Sequence, residues 1–123
     1  MTDVAENKDG LTEEILNIVF DEIDDIIMIH DSEHTVVWMN RAGRKVFSRG
    51  LDEVIGERCY HLFGRECCCD DCRVSMLVGG NKAHSFRRIP GREECYRCIS
   101  TPVMKDGEMK LVVQHLKRMD AAE

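Results

Sequence analysis

"CISTPVMKDGEMKLVVQHLKRMD", residues 98–120, decides the fold. Asp106-Gly107 is a strong two-residue hairpin signal, because a type I′ turn needs positive φ at both central positions. The segments on either side read as strands over 94–104 and 108–116. A further strand, 82–89, precedes them across the turn "PGREE". Near the other end of the chain, "IIMIH" (26–30) and "TVVWMN" (35–40) read as two more strands, with "DSEH" as a four-residue hairpin loop. Helical signals fill the remainder. Leu11, Ile15, Ile18 and Val19 line one face of a helix over 11–20. Short helices are expected over 41–48 and 51–56, and a longer one over 72–80, closed by paired glycines. The order is helix, two strands, grouped helices, three strands. It predicts an α+β fold: a five-stranded antiparallel sheet, short central helices on one face and an N-terminal helix.

At 123 residues the default is one domain. Seventeen basic against 23 acidic side chains give a net charge of −6, which disfavours general nucleic-acid or anionic-membrane binding. No apolar run approaches the ~20 residues of a membrane span. The start, "MTDVAENKDG", is polar and acidic, unlike a signal or transit peptide, so a cytoplasmic location is expected. There the cysteines stay reduced. Their number, seven, is odd, and five of them fall within residues 59–72. Clustered reduced thiols point to metal ligation or redox chemistry rather than to a disulfide scaffold.

The segments "ILNIVFDEIDDIIMIHDSEHTVVWMNRAG", "LDEVIGERCYHLFG" and "CISTPVMKDGEMKLVVQHLKRMD", in this order and spacing, resemble a PAS domain over residues 11–118. The matching features are the opening helix and hairpin, the turn at Asn40, the glycine step at Gly56, and the final hairpin. The resemblance divides the chain into a tail (1–10), a dimer or signalling helix (11–20), the sensory domain (21–118) and a tail or linker (119–123). It implies a non-catalytic sensory module that acts as a homodimer through its N-terminal helix and passes its signal to a partner or fused effector domain. A narrower resemblance is to a cysteine-rich subset of PAS domains found in anaerobic microbes. Gly56, Cys59, Tyr60, Gly64, Cys69 and Cys72 occupy that subset's pattern. Cys67 and Cys68 are additions to it, and the family's closing "DIT" is replaced here by "MDA".

Two Cys-x-x-Cys pairs, Cys69/Cys72 and Cys95/Cys98, could supply four soft ligands to Zn²⁺ or an iron–sulfur cluster. Strand alternation, however, puts Cys95 and Cys98 on opposite faces. By analogy with the PAS pattern, Tyr96, Cys98, Ser100 and Pro102 face inward, near the start of the central helix. The expected ligand set is therefore Cys59, Cys69, Cys72 and Cys98. Cys95 is the first reserve, then Cys68 and Cys67, with His61 as the reserve nitrogen ligand. The other histidines, His30, His34, His84 and His115, are read as structural or surface residues. Residues 58–98 hold eight basic and five acidic side chains, a balance suited to an anionic thiolate site or to an ordinary basic face. The sensory fold favours an iron–sulfur cluster that reports oxygen or redox state. The alternative is a Zn²⁺ staple in an interaction or small-ligand-binding module, and a thiol–disulfide redox protein is the weaker third.

Overall fold

The computed structural model describes residues 10–66, 77 and 79–119. Helix α1 spans Gly10–Asp21. Strands β1 (Ile26–Asp31) and β2 (Val36–Met39) form the first hairpin. Three short helices follow: α2 (Arg41–Phe47), α3 (Leu51–Val54) and α4 (Cys59–Leu62). Strands β3 (Ala83–Arg88), β4 (Cys95–Lys105) and β5 (Glu108–Arg118) complete the described elements. The five strands form one sheet in the order β2-β1-β5-β4-β3, with every neighbouring pair antiparallel. The expected α+β architecture is therefore observed. The helix expected over 72–80, and Cys67, Cys68, Cys69 and Cys72, lie outside the described residues, apart from the helical Leu77.

The closing hairpin forms as its sequence dictates. Asp106 and Gly107 have φ of 55° and 80°, and Lys105 pairs with Glu108 across the turn. Alternation along β4 buries Tyr96, Cys98 and Ser100 on the helix-covered face, while Arg97 is exposed. The core sits between that face and the helices. One cluster joins Met28, Val36, Met39, Val54, Cys59 and Leu62. A second joins Ile26, Ile89, Tyr96, Cys98 and Leu116, and a third Leu77, Ala83 and Val112.

Asn40 ties three elements together from a fully buried position. Its Oδ1 accepts from the backbone N–H of Ile27 and of Gly43, each at 3.0 Å. Its Nδ2 donates to the Phe20 carbonyl at 3.0 Å and the Asp25 carbonyl at 2.9 Å. One side chain thus caps α2, pins β1 and fixes the exit of α1. Gly43 lets α2 approach the sheet. A Cβ there would lie 2.6 Å from Met39 Cγ and 3.0 Å from Ile26 Cγ2, inside contact distance.

The body of α1 is less engaged. Its Asp21 carboxylate accepts from the Arg41 backbone N–H at 2.7 Å, and Phe20 packs on Trp38 at 5.6 Å. Ile15, Ile18 and Val19 nevertheless remain about half exposed, at 52, 57 and 49 %. Among the described residues, no helix is long and apolar enough to cross a membrane.

Candidate metal centre

The site begins in the β1–β2 turn. Asp31 Oδ1 accepts from the backbone N–H of Glu33 and Thr35, both at 2.9 Å, and so folds the turn upon itself. The chain reverses at His34, which adopts φ of 69°. Histidine is among the few residues that enter this left-handed region with some frequency, though at a cost relative to glycine. The conformation is held from outside. The His34 carbonyl accepts from Cys59 N–H at 2.7 Å, and the Val36 N–H donates to the Glu57 carbonyl at 2.8 Å. Arg58 adds a clamp, its guanidinium donating to the Glu33 carbonyl and to Thr35 Oγ1 at 2.6 and 2.9 Å. Segment 56–59 therefore runs antiparallel beside the turn and delivers Cys59 to His34. Cys59 Sγ lies 3.7 Å from His34 Nδ1.

His30, at the far end of β1, stacks on His34 with ring centres 5.4 Å apart. Its hydrogen bonds fix its tautomer. Nδ1–H donates to the Asp31 carbonyl at 2.7 Å, so Nε2 carries the lone pair and accepts from Gln114 Nε2–H at 2.8 Å. Gln114 Oε1 in turn accepts from the Cys98 thiol at 2.7 Å and the Ser100 hydroxyl at 2.9 Å. Four inward side chains from three strands thus form one buried, satisfied chain.

His30, His34 and Cys59 each place a ligand atom within 4.8 Å of the others. Tetrahedral Zn²⁺, with bonds of about 2.0–2.3 Å, needs donors roughly 3.4–3.8 Å apart; the Cys59–His34 pair meets this at 3.7 Å, and the set as a whole would have to draw together to share an ion. Both imidazoles are biased toward the neutral form. Burial lowers the His30 pKa, opposed in part by the hydrogen bond to the Asp31 carbonyl. Burial also lowers that of His34, with the Arg58 guanidinium adding to the effect and Asp31 opposing it. A neutral imidazole offers the lone pair that a metal requires.

The expected ligands distribute unevenly. Cys59 is buried in this cluster. Cys98 is also buried, but its sulfur is turned to Gln114 and Ser100, and it packs in the second core cluster. Cys69 and Cys72 lie outside the described residues. Cys95 opens β4, on the face opposite Cys98, as alternation requires. His61, expected as the reserve nitrogen, instead approaches Glu57 at 3.5 Å. The nitrogens beside Cys59 belong to His30 and His34, which sequence reading treated as isolated residues. Their i, i+4 spacing across a hairpin loop was the available signal. Two open clefts, of about 460 and 350 Å³, lie elsewhere and are lined by none of these three residues.

Comparison with known proteins agrees with this architecture. A family model described as a PAS fold matches residues 20–119. No curated protein matches the chain. Among solved structures, the PAS domain of nitrogen regulation protein NR(II) from Vibrio parahaemolyticus superposes with a TM-score of 0.68 at 13 % identity, over 85 % of this chain and 98 % of that one. A domain of a sensory box sensor histidine kinase/response regulator from Geobacter sulfurreducens gives 0.67 at 17 % identity, over 89 and 98 %. An RNA-binding light-oxygen-voltage receptor gives 0.71 at 17 % identity, over 92 % of this chain but only 34 % of the receptor. At these identities the superpositions speak to the fold, while the family match spans most of the sequence. With its five-stranded sheet, its grouped helices and that match, the chain belongs to the PAS family.

Proposed function

We propose that this PAS domain is a sensory, non-catalytic module that binds one divalent metal of the Zn²⁺ type through Cys59, His34 and His30. The observation that carries the reading is the convergence of one thiol and two neutral imidazoles within 4.8 Å, on a turn that holds His34 at positive φ. Mixed sulfur and nitrogen donors suit Zn²⁺. Cys67, Cys68, Cys69 and Cys72 are the nearest further thiols to Cys59 in the sequence, and Cys69 and Cys72, with Gly56, Tyr60 and Gly64, support membership of the cysteine-rich PAS subset. The expected all-thiolate set fits an iron–sulfur cluster less well, because it includes Cys98, whose sulfur is engaged by Gln114. The metal would act first as a clasp between the β1–β2 turn and the segment leading into α4.

The signal would leave through α1. Its half-exposed Ile15, Ile18 and Val19 support a homodimer built on that helix, and the net charge of −6 favours a protein partner over nucleic acid or an anionic membrane.

Metal analysis of protein purified without air tests the reading. One equivalent of zinc in a colourless protein is expected. A brown protein absorbing near ~400 nm would restore the cluster. A folded protein that takes up no metal from a replete buffer would remove the centre altogether.

A further inference from the structure

His30 already has the arrangement of a metal ligand, yet its coordinating lone pair is occupied. A metal-bound histidine commonly donates its other ring N–H to a backbone carbonyl or a carboxylate, which fixes the tautomer and raises the basicity of the ligating nitrogen. His30 does this: Nδ1–H donates to the Asp31 carbonyl at 2.7 Å. The atom left for a metal is Nε2, and Gln114 Nε2–H donates to it at 2.8 Å. Gln114 is itself held from behind, because its Oε1 accepts from both Cys98 and Ser100.

We propose that Gln114 is a plug on the candidate metal centre: metal binding displaces its amide from His30 Nε2, so Gln114 sets the affinity of the site and carries its occupancy to Cys98 and Ser100 on β4. This inference rests on the metal reading and adds the regulation of that site. The physics is a competition for one lone pair. When the metal takes Nε2, the Gln114 amide, only 7 % exposed, loses its acceptor in a place that water scarcely reaches. The amide must then turn, and a turn of the amide disturbs both donors to its oxygen. A change at β1 thereby reaches the middle of β4 through one side chain. His34 and Cys59 lie outside this competition and provide the first foothold for the ion.

Gln114→Leu separates this role from simple packing. In the variant the metal-free His30 Nε2 has no donor, and the bound state strands no amide. Zinc affinity should therefore rise about ten-fold or more, read by competition with a chromophoric chelator. A merely structural Gln114 would leave affinity unchanged or weaken it, and either result overturns the proposal. Wild-type protein supplies a second reading that does not depend on the variant folding. During a zinc titration followed by ¹⁵N NMR, the Gln114 side-chain amide and His30 Nε2 signals should shift together and saturate at one equivalent. A Gln114 amide unmoved at full occupancy contradicts the proposal and leaves the metal centre standing. No zinc uptake by wild-type protein removes both.

Discussion

Cys59 and Cys98 are both buried on the helix-covered side of one sheet, and their sulfurs meet different chemistry. Cys59 opens the short helix α4 and lies against an imidazole on a strained turn. Cys98 sits in the middle of the long strand β4 and donates its thiol proton to an amide oxygen. The first environment supplies lone pairs that a metal can use. The second supplies a hydrogen-bond acceptor that orders the thiol. Burial is alike at the two cysteines; the neighbouring atoms are what differ, and they separate the proposed ligand from a hydrogen-bonded thiol.

The contrast can be broken most directly by exchanging the two cysteines for alanine. Cys59→Ala should weaken zinc binding by roughly a hundred-fold or more, whereas Cys98→Ala should leave affinity within about three-fold in a chelator competition. Equal losses would mean that both sulfurs ligate. Cys98→Ala should instead show itself in metal-free stability, lowering it by about 1–2 kcal/mol in urea unfolding, since a donor to Gln114 and some packing are lost.

Acid should sharpen the same contrast. Both His30 and His34 have pKa values below the usual 6.5 in the folded protein. As pH falls below about 6.5, the unfolded chain takes up protons that the native histidines refuse, so stability must fall. The slope is at most about 1.4 kcal/mol per pH unit for each histidine, and it flattens once the native groups also protonate. Unfolding of metal-free protein between pH 7.5 and 5 should show this loss. In His30→Gln the loss should shrink, and an unchanged slope would show that His30 is not held neutral by its buried position.

The smallest effect is expected at the turn. His34→Gly relieves a positive φ, and metal-free stability should change little or rise by a few tenths of a kcal/mol. Zinc affinity should fall at least ten-fold all the same. Loss of stability and affinity in step would mean that His34 is a packing residue.

These tests also mark what the sequence made legible. The closing hairpin was open to reading because Asp106-Gly107 imposes its own geometry and the alternation along β4 shows the buried face. Alternation groups Tyr96, Cys98 and Ser100 on one face, the PAS resemblance makes that face the inward one, and all three are buried. The turn at Asn40 is legible as a family feature, but the side-chain hydrogen bonds by which it joins three elements emerge only from tertiary structure. The site was half legible. Cys59 stood out within the thiol cluster. His30 and His34 did not, because their approach to Cys59 depends on segment 56–59 pairing with the turn, a contact about 25 residues apart that no local pattern encodes. The hydrogen bond from Cys98 to Gln114 is not legible in the sequence either, since Gln114 lies on another strand.

X-ray absorption spectroscopy of the zinc-loaded protein tests the central claim most directly, because it counts sulfur and nitrogen donors on the ion. The account predicts mixed coordination, with imidazole nitrogens at about 2.0–2.1 Å and at least one sulfur at about 2.3 Å. A shell of four sulfurs, with no imidazole scattering, would contradict it.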